Sequence, residues 1–547
     1  MKKTDIVLWG FSVLSAILMS IPFLVPHTGF LSLIGLIPLL CMERIASGQG
    51  KKIIWHYHYT CFVLWNAITT FWVCNATVGG GIFAIFANAL QMSTIFALFR
   101  LSKKRFNGVL PYIFLMVTWI AWERFYYDAE ISWPWLVLGN SFARTTWAVQ
   151  WYEFTGTLGG SLWIWLCNLG VFGMMVSLSD GRWFSWNWKA KSASLGGLAL
   201  IFIAPFICSH HTGKACTAES SGNGESLEVL IVQPNIDPYN KFEALSQDQQ
   251  NDIVQQQITK SLEYRKGDTL ASQLLVVAPE TFTNDIIVGQ YERSRTWRRF
   301  TGLLGEYPGV SMLFGASSYD YIFSKDAPSH TARNLGDGLW VESHNSALMI
   351  DGDADTEIFH KSKLVVAVEQ TPYPAVFCKI DDMLGGVMGR CVGQDEISLL
   401  HAGDIPVGCA VCYESVYGEY YTDYIRKGAK AMTVITNDAW WGDTPGYKQH
   451  LSYASLRAIE TRRAIARCAN TGISAIILPS GKITQPTPWW EQAVISGNLP
   501  LRDDMTFFVT HGDITGRVCN FISLLLLLAL AVRFLNKDFS TRSARSK

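Results

Sequence analysis

The chain is 547 residues long and carries 45 basic against 45 acidic side chains; 49% of it is hydrophobic and only 16% is charged. That balance excludes a disordered chain and a soluble protein along its whole length. With zero formal net charge there is no basic footprint for nucleic acid, and none is expected as a partner.

A bilayer takes roughly 20 apolar residues to cross. Apolar segments fall at about 6–25, 29–43, 56–76, 80–99, 109–127, 158–178 and 193–208, with an eighth at about 516–534; the second and seventh are short. The first follows Lys2 and Lys3, outruns a signal-peptide core and has no small-residue cleavage site, so it reads as a retained helix. Basic residues at Lys2, Lys3, Arg44, Lys51, Lys52, Arg100, Lys103 to Arg105, Arg182, Lys189, Lys191, Arg533 and the tail all fall on one side under this count. That side is expected to be the cytoplasm, which puts 75–79, 128–157 and 209–515 outside. The expected plan is a membrane domain over 1–208 with seven helices, a linker over 209–226, an outer domain over 227–512, an eighth helix over 513–536 and a tail over 537–547.

From Leu227 the pattern changes to short apolar runs: LEVLIVQ, LLVVAPE, SMLFGAS, SALMI, VGCAVC, AMTVITN and SAIILP, with a helical stretch from about Tyr447 to Arg467. Nearly continuous apolar strands alternating with helices imply sheets covered by helices, an α/β class. Several strands end in reactive residues, where α/β proteins build sites. LLVVAPE ends at Glu280, VGCAVC at Cys412 and AMTVITN beside Asp438, while EIFHKSKL supplies His360, Lys361 and Lys363.

Two of the 12 cysteines, Cys409 and Cys412, share one strand-like run. Three positions apart on a period-2 strand means opposite faces, so the thiols are not expected to meet. Buried cysteine is ordinarily core filler, and of the two only Cys412, at the strand end, is placed to react. A thiol, a carboxylate to take its proton and an ammonium to face the oxyanion, joined by the backbone N–H after the cysteine, make a coherent nucleophilic site. On residue type alone the core reading of Cys412 stays open.

The surroundings of these residues resemble a known set. APET around Glu280, HKSKLV around Lys361 and CYE around Cys412 resemble, in this order, the Glu-Lys-Cys motifs of the nitrilase superfamily. NDAWWGDTPGYKQH (437–450), the following Arg457, Glu460 and Arg463, ARCANTG, VQPNI at Gln233 and PWLVLG from Pro134 are similar to the apolipoprotein N-acyltransferase family within it. The resemblance implies a multi-span α-helical membrane domain plus an αββα sandwich. By the same resemblance Glu280 is the general base, Lys361 the oxyanion partner and Cys412 the nucleophile that carries an acyl thioester. Glu369, Tyr413 and Glu414 fall on supporting positions, and Cys409 has no role. The implied donor is a phospholipid, the acceptor a diacylglyceryl-modified lipoprotein, the location a bacterial inner membrane with the catalytic domain in the periplasm, and the state a monomer without metal or cofactor. The chain departs from the family pattern at Ala278, at Val366 to Val368, at Pro234 and at Phe242.

Other readings remain. A membrane-tethered amidase for a small amide would use the same three residues. A transporter or receptor would need paired ionisable groups in the spans, where Glu123 and Arg124 are the main candidates. Trp133, Trp135, Trp440, Trp441, Trp489 and Trp490 suit either an apolar mouth or interfacial anchors. An oxidising compartment permits a bridge between Cys378 and Cys391, and their pairing is left open.

Overall fold

The computed structural model describes residues 3–220, 224–239, 241, 245–264, 273–383 and 388–545. Phe242, part of the expected linker (221–223) and part of the stretch between Cys378 and Cys391 (384–387) lie outside the described residues. Two compact units form, Met1–Thr212 with His511–Lys547, and Gly213–Thr510.

The first unit is helical. Among the described residues, six helices are long and apolar enough to cross a membrane: Thr4–Leu24, Gly29–Gly48, Val78–Ser102, Tyr152–Ser179, Trp188–Cys216 and Ile514–Asn536. The segments expected at 56–76 and 109–127 form the shorter helices Trp55–Thr70 and Leu110–Asp128, of 16 and 19 residues. The helix expected to stop at residue 208 runs instead as Trp188–Ser220 through most of the expected linker, because Gly213 is the single strong helix breaker in HHTGKACTAES.

Polar side chains here repair breaks in the backbone. Gly29–Gly48 is interrupted at Leu36, just before Pro38, and Asn168 fills the gap: its Oδ1 accepts from Leu36 N–H and its Nδ2 donates to the Ser32 carbonyl, both at 2.8 Å. Glu123 does the same for the PWLVLG segment, which is buried in tight turns; its Oε1 accepts from Leu138 N–H at 2.8 Å and Trp119 Nε1 at 3.0 Å. Such groups have no water to turn to inside lipid. Arg124, the other in-span candidate, pairs with Asp128 at 2.6 Å and Asp513 at 3.4 Å.

The second unit is a two-sheet sandwich. Its strands are β1 (Ser226–Gln233), β2 (Leu274–Val277), β3 (Thr283–Ile287), β4 (Val310–Phe323), β5 (Arg333–Gly336), β6 (Leu339–Ile350), β7 (Thr356–His360), β8 (Leu400–Ala402), β9 (Ile405–Val411), β10 (Ala431–Thr436), β11 (Ile465–Ala469), β12 (Ala475–Ile477), β13 (Ile483–Thr484) and β14 (Ala493–Pro500). One sheet runs β14-β1-β2-β4-β6-β5, with β3 on β4 and β7 on β6; the other runs β13-β12-β11-β10-β9-β8. The centres, β1-β2-β4 and β9-β10-β11, are parallel. Period 2 sorts their side chains. Leu227, Val229, Ile231, Leu275, Val277 and Leu313 face the second sheet's Val407, Cys409, Val411, Met432 and Val434. Leu230, Val232, Leu274, Val276, Met312 and Phe314 pack on Val254, Ile258 and Leu262 of helix Gln247–Tyr264 and Phe300 of helix Arg295–Leu304. Cys409 is therefore core, as its residue type suggests.

The helix expected to reach Arg467 spans Pro445–Thr461, capped at Thr444 with Pro445 in its first turn. Arg462 takes φ 49°, and Ile465–Ala469 becomes strand β11 beside β10. Those five residues are wholly buried between neighbours on both edges, and tertiary pairing overrides a locally helical run. Arg457 and Glu460, both at 0% exposure, pair inside that helix at 2.8 Å. Removing one partner of a buried pair strands the other charge, at about 3–5 kcal/mol, whereas replacing both by apolar groups is far milder. Arg457→Met is therefore expected to lower the thermal unfolding temperature in detergent more than the double variant Arg457→Met/Glu460→Leu does.

Candidate active site

Three loops following strands of the sandwich meet. Glu280 lies three residues past β2, Lys361 directly follows β7 and Cys412 directly follows β9. Lys361 is 1% exposed, and its Nζ donates to Glu369 Oε1 at 2.9 Å and Glu280 Oε1 at 3.3 Å. Burial alone would lower this ammonium, but Glu369 and then Glu280 raise it well above its ordinary value. Glu280 Oε1 also accepts from Asn345 Nδ2 at 2.8 Å, and its Oε2 from Asn437 N–H at 3.0 Å. Glu369 accepts from Asn345 Nδ2 at 2.7 Å and Val365 N–H at 2.8 Å.

Cys412 is partly exposed and is not the last strand residue, as expected, but the first of a tight turn, Cys412–Val416. Its φ of 52° is a strained value for a side chain with a Cβ. The turn is over-determined. The Cys412 carbonyl accepts from Ser415 Oγ at 2.8 Å and faces His450 Nε2 at 3.0 Å, and Thr436 Oγ1 lies 3.2 Å from Sγ. Burial, then the Glu280 charge, push the thiol well above its ordinary value, while Lys361 pulls it back. A group raised in this way rests as a thiol, and any attack by it would need a base to take its proton.

Glu414 braces the site through backbone amides and a tyrosine. Its Oε1 accepts from Ser362 N–H at 2.7 Å, Lys363 N–H at 3.2 Å and Tyr420 at 2.7 Å, and its Oε2 from Val411 N–H at 2.8 Å. One carboxylate thus ties the segment after Lys361 to the turn that carries Cys412. Tyr413 packs edge-on against Tyr417 at 5.2 Å. Cys378 and Cys391 are both free thiols. Among the described residues no His, Cys, Asp or Glu group is clustered to hold a metal.

Asn345 was not foreseen. It sits in the polar half of β6, and a lone asparagine on a strand gives no local signal; its role arises because β6 carries it between Glu280 and Glu369. Gly315 was likewise silent. A Cβ there would lie 2.5 Å from Glu280 Cα and 2.6 Å from Thr281 N, so β4 can pass the Glu280 turn only without a side chain. Gly315→Ala must displace Glu280, and an ångström of misplacement costs about 100-fold in rate; we expect that loss in acylation of Cys412, followed by mass spectrometry, with the chain still folded.

Residues 331–503 match the family model described as carbon-nitrogen hydrolase, and residues 15–170 match the apolipoprotein N-acyltransferase N-terminal domain. An apolipoprotein N-acyltransferase of Chlorobaculum tepidum is 28% identical over 522 residues, covering 93% of each chain. Another, from Geobacter metallireducens, is 24% identical over 93% of this chain and 92% of its own. Among solved structures, a nitrilase-superfamily amidase mutant from Nesterenkonia AN1 aligns at 15% identity and TM-score 0.35, over 51% of this chain and 92% of that one. Saccharomyces cerevisiae Nit3 aligns at 15% identity and TM-score 0.35, over 50% and 90%. With a membrane-domain match, a hydrolase-domain match and relatives spanning nearly its whole length, the chain is similar to apolipoprotein N-acyltransferases from end to end.

Proposed function

We propose that the chain transfers an acyl chain from a phospholipid to the free α-amine of the N-terminal S-diacylglyceryl-cysteine of apolipoproteins, by a ping-pong course through a thioester on Cys412. The observation that carries this reading is the buried Glu280-Lys361-Glu369 cluster acting on Cys412 in a chain that also carries long apolar helices. Both substrates are lipid-anchored, so a catalytic unit continued in sequence by apolar helices at both ends meets them by lateral diffusion. Basic residues at the span ends favour the inner membrane with the catalytic domain in the periplasm.

In the first half-reaction Glu280 takes the Cys412 proton as the sulfur attacks the donor ester. Lys361 faces the oxyanion, and the lysophospholipid leaves with the proton. In the second, Glu280 takes a proton from the incoming amine, the C–S bond breaks, and Glu280 returns that proton to the departing sulfur, restoring the thiol. Lys361 serves only as an ammonium. A lysine raised on folding contributes stability that is complete below its unfolded value near 10.4 and is lost only as pH climbs through the still higher folded value.

Incubation with a defined phospholipid is expected to add one acyl mass to the intact protein, labile to hydroxylamine and absent from Cys412→Ser. No increment on the wild type would sink the reading, and turnover of small amides in its place would support the amidase. Because the resting sulfur is a thiol, the absorbance difference near 240 nm between wild type and Cys412→Ser should stay flat across neutral pH. A thiolate step there would contradict the assignment of Glu280 as the base.

A further inference from the structure

Three consecutive residues at the end of β10 address three parts of the site. Thr436 Oγ1 lies 3.2 Å from Cys412 Sγ, Asn437 N–H holds Glu280 Oε2 at 3.0 Å, and Asp438 sits behind both at 0% exposure. Asp438 Oδ1 is 2.8 Å from Thr436 Oγ1 and 3.0 Å from His450 Nδ1, and its Oδ2 accepts from Arg467 Nη2 at 2.7 Å. Thr436, His450 and Arg467 are also fully buried, and Arg467 Nη1 is fixed on the Ile473 carbonyl.

A hydroxyl has one hydrogen, and Thr436 has two neighbours to give it to. While Cys412 is a thiol, the carboxylate is the stronger acceptor and the sulfur's own hydrogen can turn to Oγ1. Once the sulfur carries charge it becomes an acceptor, and a hydrogen bond to an ionised group is about twice as strong as one between neutral groups. The switch leaves Asp438 with Arg467 and His450, which already hold it well below the usual carboxylate range against the effect of burial. The charged groups that act on the sulfur are Glu280 from the loop after β2, Lys361 from the loop after β7 and Asp438 from the loop after β10; His450 faces the Cys412 carbonyl.

We propose that Thr436 is a further catalytic residue, whose hydroxyl turns from Asp438 Oδ1 to Cys412 Sγ whenever the sulfur is negative, and that Asp438, held by His450 and Arg467, positions it. The proposal rests on Cys412 being the nucleophile. In acylation the S–H bond breaks, its proton goes to Glu280, the C–S bond forms and the ester C–O bond breaks. In transfer an N–H bond breaks and its proton goes to Glu280, the N–C bond forms, the C–S bond breaks with its electron pair returning to Sγ, and Glu280 then gives the proton back to the sulfur. Thr436 gives up no proton in either half and only redirects its O–H bond, at the two moments when sulfur charge is greatest.

The test is alkylation of Cys412 in the full-length protein in detergent by iodoacetamide, read by peptide mass spectrometry across the rising limb of the pH profile. Loss of the bond should shift the limb of Thr436→Val upward by about one pH unit, which is about tenfold slower alkylation at any fixed pH. Thr436→Ser, which keeps the hydroxyl, should return to the wild-type limb. A Thr436→Val profile that coincides with wild type would overturn the proposal. So would equal slowing in the valine and serine variants, which marks a packing role. If wild-type Cys412 reacts no faster than the buried Cys409, the nucleophile assignment itself falls and the proposal falls with it.

Discussion

A buried ammonium shared by two carboxylates is the constraint on which the catalytic unit is organised. Lys361 at 1% exposure tolerates removal from water only because Glu280 and Glu369 both face it, and the two carboxylates tolerate each other only because Lys361 and the Asn345 amide lie between them. None of these four groups is a sequence neighbour of another in the local sense; they arrive on the ends of β2 and β7, on β6 and on the turn at Glu369. Each must be held by something that does not move.

The sandwich supplies that rigidity. The parallel centres of the two sheets pack through alternate side chains, so β2 cannot slide by one residue without turning Leu275 and Val277 out of the core and Glu280 with them. Between the sheets, Cys468 Sγ lies 3.2 Å from the Val232 carbonyl and 3.4 Å from that of Val277. Asn470 clamps the chain after β1, accepting from Ile236 N–H at 3.0 Å and donating to its carbonyl at 2.6 Å. The ARCANTG and VQPNI motifs are thus two halves of one clamp. Glu414 and Gly315 finish the task, the first by tying the Lys361 segment to the Cys412 turn, the second by letting β4 approach the Glu280 turn.

The membrane unit meets an opposite problem with related means. Asn168 and Glu123 lend hydrogen-bonding atoms to backbone that has left the helical ladder, and these polar side chains are repairs rather than a pathway. That accounts for Glu123 on helix Leu110–Asp128 without a transport role.

The chain's own order of residues determined a good deal. Long apolar runs cross lipid whatever surrounds them, period-2 runs bounded by reactive residues mark strand ends, and the Glu280, Lys361 and Cys412 surroundings carry a family pattern in short contiguous words. What no window of sequence contains is a distance between segments. Asn345 and Thr436 are ordinary strand residues until β6 and β10 place them beside Glu280 and Cys412. Ile465–Ala469 read as the end of a helix because propensity is local, and it became a strand because neighbours on both sides supplied hydrogen bonds that a helix would have forgone. The turn at Cys412 is decided in the same way. Its positive φ is unfavourable alone and is offset by Ser415 and Glu414 within the turn and by His450, which only the finished fold brings to it.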